Sequence, residues 1–402
     1  MNTRIVITGV GVISSLGIGK KEFWKNLLAG KSGVSEITAF DTKDYATHSG
    51  AEVKGFNPSD FLEMDQQKTM GRASQMAVAA TRLALEDAGI ELEKVKKKEA
   101  GVVIGTTMGE TQQLEQIDDI WIGQGEDFIS PELVQQYPAN NIYNNIAKIF
   151  KLKGNNLVIP NACAAGNYAI AYASDLIKIG RAEWMLAGGV DAFSRYAFMG
   201  FNRLLSVAPE RCAPFDKNRQ GIILGEGAGI LVLESLDSAT KRGANIYAEV
   251  AGYGLSCDAY HMTAPQFSGI ISAILLALRD SGTDIKDVDY INAHGTGTLA
   301  NDKTECLALK KIFNDYLEKI PVSSSKSMLG HTMGAASAIE AIICALAIKH
   351  DTIPPTINYE TPDPDCDIDC VPNIFRKHEV KVALNNGFAF GGNNACLVLK
   401  NC

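Results

Sequence analysis

Apolar runs with strand character alternate with helical patterns along almost the whole of this chain. "RIVITGVGV", "AGVVIGTT", "NNLVIPNA", "EWMLAGGVD" and "GAGILVLES" are followed by "IYAEVAGYG", "DYINAHGT", "VALNNGFAF" and "ACLVLKN", with helical spacing at 69–88, 165–180, 269–282, 301–314 and 334–350 between them. Short apolar strands interleaved with amphipathic helices predict an α/β chain whose sheet is largely internal. No Pro-rich or Gly/Ser linker interrupts the alternation. Two halves, 1–245 and 246–402, are therefore expected to pack intimately, and no strict short-period repeat relates them.

The 402 residues are 46% hydrophobic and 21% charged, enough to bury a sizeable core and too apolar for disorder. A net charge of −8 argues against extended nucleic-acid binding, which calls for a basic footprint. "MNTRIVITGVG" lacks the parts of a secretory signal, and the apolar helical patch "AIEAIICALAI" is short for a bilayer span and contains Glu340. The expectation is a cytoplasmic protein without membrane segments. Nine cysteines without CxxC spacing fit reduced thiols better than a disulfide framework. Cys366 and Cys370 in "CDIDC" have no nearby His and no second Cys pair, so no zinc site is expected.

Three Gly-rich stretches suggest nucleotides and fail on order. "TGVGVIS" follows a strand but lacks the third glycine and the ribose-binding acid, while "GEGAG" and "FGGNN" precede their strands. None aims a helix N-terminus at a phosphate.

Cys163 in "NACAAGNYAI" stands where a strand-like run turns into a helix. Buried packing is the common fate of a free cysteine. A helix start, however, favours the thiolate, and a contribution of up to about 2 kcal/mol would lower its pKa by up to about 1.5 from about 8.5. A neighbouring imidazole or a pair of fixed donors would complete the activation. Of six histidines, His294 in "NAHGTGT" and His331 in "SSSKSMLGHTMG" lie in strand-end loops of the kind where α/β proteins keep their chemistry. His48, His261, His350 and His378 have ordinary surroundings and are expected to serve the surface or packing.

"NACAAG", "NAHGTGT", "SSSKSMLGH" and "GFAFGGNN", in that order, resemble the four active-site motifs of β-ketoacyl-acyl carrier protein synthases. The likeness runs from "RIVITGVGVISSLG" through "PFDKNRQGIILGEGAG" and "DAYHMTAP" to "FGGNNACLVLK". It implies the thiolase fold, two similar mixed-sheet α/β halves in a five-layer αβαβα sandwich, and homodimers or heterodimers with a ketosynthase-like subunit. It also implies an acyl carrier protein as partner, and substrates carried on its phosphopantetheine with no further cofactor and no metal.

By the same resemblance Cys163 takes the acyl chain, His294 and His331 stabilise the enolate formed when malonyl-carrier protein loses CO₂, and backbone N–H groups of Cys163 and Phe390 form an oxyanion hole. Lys326 and Glu340 match a supporting ion pair. Asp302 and Glu305 match carboxylates beyond the first histidine, although they could equally form a solvated helix start. Thr296, Thr298 and Thr263 match positions that bind pantetheine, though loop threonines also cap turns. Met108, Glu132, Leu133, Phe201 and Phe388 are placed at the acyl pocket, and Lys68, Arg72 and Arg203 at the carrier docking face.

The chain departs from the family pattern at Asn161, Ala164, Asn167, Ala389 and Asn393, and "SPELVQQYPANN" replaces a run that is usually apolar. "AGGVDAFSRYAFMGFNRLLSVAPERCAPFD" is closer in length to ketosynthases of specialised pathways. The expected substrate is therefore not simply a saturated acyl chain. A cysteine hydrolase, with Cys followed at long range by His, and a thiolase-like acyltransferase with another donor are the alternatives from the residues alone. The first lacks an aromatic residue after its cysteine, and the second lacks a cysteine in "FAFGGNN".

Overall fold

Ile5–Ser14 (β1) is buried along its whole length, as a strand covered on both faces must be. Its two glycines answer the nucleotide question. Helix α1, Arg72–Asp87, lies so close that a Cβ at Gly9 or Gly11 would collide with the carbonyl oxygens of Ala84 or Ala80. The glycines serve helix-on-strand packing. These positions belong to a computed structural model that describes residues 3–91 and 100–402.

After β1 and α1 the chain forms β2 (Gly101–Gly105), α2 (Thr111–Gln124), α3 (Pro131–Gln136), β3 (Asn156–Ile159), α4 (Ala165–Lys178), β4 (Trp184–Asp191), α5 (Arg195–Arg203) and β5 (Gly227–Ser235). The second part contributes β6 (Ala248–Cys257), α6 (Phe267–Asp280), β7 (Tyr290–Asn292), α7 (Leu299–Phe313), β8 (Val322–Ser323), α8 (Ala336–His350), β9 (Val382–Phe388) and β10 (Asn393–Lys400). Short 3₁₀ turns and two-residue strands fill some of the connections.

The strand order is β3-β2-β4-β5-β1 in the first half and β8-β7-β9-β10-β6 in the second. These are the same plan: in each half the third, second and fourth strands are parallel and the fifth and first antiparallel. The duplication that the resemblance implies is thus written in the topology. The halves join where β1 meets β6, with Val6 opposite Glu249.

Helices α4 and α8 pack against each other between the two five-stranded halves of this continuous sheet, while α1 covers the outer face of the first half and α6, backed by α7, the outer face of the second. This is the expected five-layer α/β sandwich. Its central helix is buried on every side from Ala336 to Ile348. Burying Ile339, Ile342, Ile343 and Leu346 there contributes roughly 6–12 kcal/mol before conformational entropy is set against it. The stretch is longer than the sequence suggests. Met333–His350 has the length and apolarity of a membrane span, and 89% of it is buried inside the protein.

Candidate active site

Each half turns sharply into its central helix. The turn Ala162–Ala164 enters α4 and the turn Met333–Ala335 enters α8, and each contains a residue other than glycine with positive φ, Ala162 at 47° and Met333 at 56°. Such backbone costs of order 1–3 kcal/mol and persists where the surroundings dictate it. Cys163 follows the first such residue and Gly334 the second. His331 sits just before the second turn, and His294 follows β7 in the same half. The matched turns thus bring the thiol and one imidazole to the centre of the molecule, and the strand end brings the other.

The donor atoms of Cys163, His294 and His331 all lie within 4.8 Å of one another, and all three residues are buried. The imidazole rings meet edge-on, with centroids 5.6 Å apart and planes at 80°. His331 Nδ1 accepts the Met333 backbone N–H at 3.1 Å. This leaves the ring proton on Nε2. Burial and the nearby Lys326 ammonium hold both imidazoles well below their ordinary pKa, so both are neutral donors.

The thiol differs from expectation. Burial pushes Cys163 up to about 11, against the opposing pull of Lys326 and of the Phe390 and Cys163 backbone N–H groups. The helix start is real, but loss of solvent outweighs it. Those same two N–H groups lie close enough to act on the thiol, beside where an oxyanion formed on a bound acyl group would need donors.

Lys326 and Glu340 are both buried and form an ion pair at 2.5 Å. Desolvation raises the Glu340 carboxyl to about 7, and its Oε2 has no hydrogen-bond partner among the described residues. Glu305 accepts the backbone N–H groups of His294 and Gly295, each at 2.9 Å, and Asp302 accepts those of Phe215 at 2.9 Å and Gly297 at 3.2 Å. Both carboxylates are fully buried, so they fix the His294 loop and are not a solvated helix start. Asp191, unremarked in the sequence, ends β4 and accepts from Thr106 Oγ1 and from the backbone N–H groups of Thr107, Met108 and Gly334 at 2.6–2.8 Å. It ties the Met108 loop to the turn beside His331. An acid closing an apolar strand was the available signal.

A cavity, about 620 Å³ of empty space when its open mouth is included, leads to Cys163, His294 and His331, and Thr296, Thr298, Thr263, Phe201, Phe388 and Phe390 line it. Thr298 also caps α7 by accepting the Asn301 N–H at 3.3 Å, so capping and lining coincide in one residue. Phe201 stacks on Phe390 with centroids 5.5 Å apart, and Phe388 lies edge-on to His294. His261, expected to be an ordinary surface histidine, lines the cavity as well. Its Nδ1 accepts the Thr263 and Ala264 N–H groups at 3.1 and 3.2 Å.

Other expected positions lie elsewhere. Met108 packs behind the cavity wall with Phe198, Ile222 and Met333. Glu132 and Leu133 sit on α3 outside the lining, Glu132 exposed and Leu133 partly so, because the short helix projects from the sandwich. Arg72 is not a free docking charge. Its guanidinium is held by Glu226, at 2.8 Å from Nε and 2.6 Å from Nη2. Lys68 and Arg203 are exposed.

Among the described residues, Cys163, His294 and His331 are the one group whose donors could jointly hold a metal. The set suits zinc, yet the Lys326 ammonium that depresses both imidazoles would repel a dication from the same point. Cys366 and Cys370 are separately buried thiols, and none of the nine cysteines is paired.

Residues 2–239 match the family model of the β-ketoacyl synthase N-terminal domain, and residues 247–360 that of its C-terminal domain. A 3-oxoacyl-[acyl-carrier-protein] synthase 2 of Synechocystis sp. is 42% identical across 99% of this chain and 98% of its own. Nodulation protein E of Rhizobium sp. is 39% identical across the whole of both chains. The solved structure of the ishigamide ketosynthase/chain length factor superposes with a TM-score of 0.97 at 45% identity, covering 100% of both chains. The motifs at Cys163, His294, Lys326–His331 and Phe388–Asn394 therefore sit in the frame to which they belong, and this chain is a member of the β-ketoacyl synthase family.

Proposed function

We propose that this protein extends an acyl chain by two carbons, condensing a Cys163-bound acyl thioester with malonyl-acyl carrier protein in fatty-acid or polyketide elongation. The observation that carries the reading is one buried thiol set against two neutral imidazoles and two backbone N–H groups at the end of an apolar cavity. Sγ attacks the carrier-bound thioester, the oxyanion takes the N–H groups of Cys163 and Phe390, and the pantetheine thiol leaves with the thiol proton. Malonyl thioester then loses CO₂. The electron pair passes to an enolate whose oxygen takes N–H donors from His294 and His331. The enolate carbon attacks the acyl carbonyl, and the C–S bond to Cys163 breaks to give the 3-oxoacyl product and the thiolate, which is reprotonated.

A cysteine hydrolase would pair a thiolate with an imidazolium. Here the thiol is raised and both imidazoles are depressed, which supports condensation over hydrolysis. The reaction draws on no cofactor beyond the carrier's arm. Nine unpaired thiols support a reducing, cytoplasmic setting.

The assembly is a dimer with a second copy or a ketosynthase-like subunit. Strand β3 is an open sheet edge, and Trp121, Ile122 and Phe128 are exposed on α2 and the turn after it. Polar α3 and the short 187–216 segment support an acyl chain other than a simple saturated one. Intact-mass analysis after a panel of acyl-carrier proteins, then malonyl-carrier protein, tests the whole reading. Acyl mass on wild type and none on Cys163→Ala, followed by two-carbon extension, is the expected result. No adduct from any donor would defeat the condensation. Equal or better turnover of saturated C8–C14 chains than of polyene or oxidised ones would defeat the specialised substrate.

A further inference from the structure

Helix α4 begins without a side-chain cap of its own. The N–H of Asn167, its third residue, is instead taken by Ser337 Oγ of α8 at 3.0 Å. The same asparagine, a position where the sequence leaves the family pattern, faces Asn385 on β9. Its Nδ2 donates to the Asn385 backbone carbonyl at 3.1 Å, and its Oδ1 accepts from Asn385 Nδ2 at 2.8 Å. Asn385 Nδ2 also donates to the Ser337 carbonyl at 2.8 Å, and its Oδ1 accepts from Asn292 of β7 at 3.1 Å. Asn167, Asn292, Ser337 and Asn385 are all fully buried.

Amides are costly to bury, and a satisfied pair of this kind selects one arrangement of the elements that it joins. The elements joined here carry the reacting groups. Asn167 lies one helical turn beyond Cys163, and β9 runs from Asn385 towards Phe390, just past its end. The two backbones nearly touch between these points, since a Cβ at Gly387 would lie 3.4 Å from Ala164 Cα and from Asn167 Nδ2. Side chains alternate along a strand, so Asn386 faces the other way. There its Nδ2 reaches Glu305 at 3.2 Å, the carboxylate that holds the His294 loop. Neither Asn167 nor Asn385 lines the catalytic cavity.

We infer that Asn167 and Asn385 are positioning residues, which set the distance between an acyl carbon on Cys163 and the Phe390 N–H so that this oxyanion donor is in place before the tetrahedral intermediate forms. This rests on the condensing reading above. Such a donor stabilises only where it is held at the point of developing charge, and a misplacement of about 1 Å can cost about a hundredfold in rate. Cys163 and Phe390 belong to different halves of the chain, so their spacing depends on contacts between α4 and β9. Among the described residues, α4 and β9 share no hydrogen bond but those of the amide pair.

The test compares wild type with Asn167→Leu, which keeps the branched shape and removes both bonds to Asn385, and with Ser337→Ala, a milder change that removes only the acceptor of the Asn167 N–H. Intact mass follows two reactions of the same thiol: acylation by an acyl-pantetheine thioester, which passes through an oxyanion, and alkylation by iodoacetamide, which does not. Urea unfolding establishes that each variant is folded under the assay conditions, and where Asn167→Leu is not, Ser337→Ala decides alone. The expected result for Asn167→Leu is a loss of about tenfold in acylation rate at saturating thioester, with the half-saturating concentration and the alkylation rate changed by less than about twofold. Ser337→Ala should lose about threefold with the same selectivity. Loss of both reactions together, a loss carried by the half-saturating concentration, or acylation unchanged in the folded variants would overturn the positioning role and leave the condensing reading standing. Wild type that iodoacetamide alkylates and that no thioester, free or carrier-bound, acylates removes both.

Discussion

His331 Nδ1 accepts the Met333 N–H at 3.1 Å, and the turn that supplies this N–H is the same turn whose Gly334 N–H is held by Asp191 at 2.6 Å. The tautomer of the His331 ring is thus set by backbone that a buried carboxylate fixes in place.

His331→Ala or His294→Ala removes one donor from the enolate and none from the acyl oxyanion. Release of labelled CO₂ from malonyl-carrier protein should fall about 10²–10³-fold, while acylation of Cys163 changes only a few-fold. Acylation lost first would reverse these roles.

With the thiol at about 11, only the small thiolate fraction reacts at neutral pH. Alkylation of Cys163 by iodoacetamide, followed by intact mass, should rise about tenfold per pH unit from 7 to 10 without a plateau. A rate flat from pH 6 upward would mean a preformed thiolate–imidazolium pair.

Glu340 titrates at about 7 in the fold, above its ordinary 4.5, so its share of stability is full below 4.5 and is lost as pH rises through 7. His294 and His331 act with the opposite sign, since their depressed pKa costs stability as pH falls below 6.5. Urea unfolding of wild type and Glu340→Gln separates the two, because only the Glu340 part differs between them. The stability of wild type relative to the variant should decline from pH 4.5 to 7 and then level. At pH 4.5, where the Glu340 carboxyl is neutral like the amide that replaces it, the two proteins should be about equally stable, so by pH 7 the variant should be the more stable.

Arg72→Ala should act on folding. Removing the guanidinium strands the buried Glu226, although Val53 and Phe193 N–H groups still reach it at 2.9 and 3.0 Å. The cost is about 3 kcal/mol by urea unfolding, with KM for the carrier unchanged. A raised KM at unchanged stability would return Arg72 to the docking face.

The α/β class was legible because buried strands and amphipathic helices have different periods, and Cys163, His294 and His331 because each sits in a small-residue loop at a strand end or helix start. The duplication was not legible. Strands β7 and β8 have three and two residues, too few for any periodicity, and the matched turns share backbone shape more than side chains. Arg72 was misread because its partner Glu226 lies far along the chain, and Asp191 was overlooked because its donors come from two distant loops. The thiol was misjudged for a related reason: a helix start is written locally, whereas burial is a property of everything that packs around it.

Gly334 occupies in the second turn the place that Cys163 takes in the first, and a Cβ there would collide with the Thr106 backbone. Sterics deny that turn a side chain of its own, so a fold with two turns of one plan has a single berth for a covalent cargo. Two carriers served by one berth must take it in succession. On the condensing reading its kinetics are those of alternation, with the first visitor gone before the second is admitted.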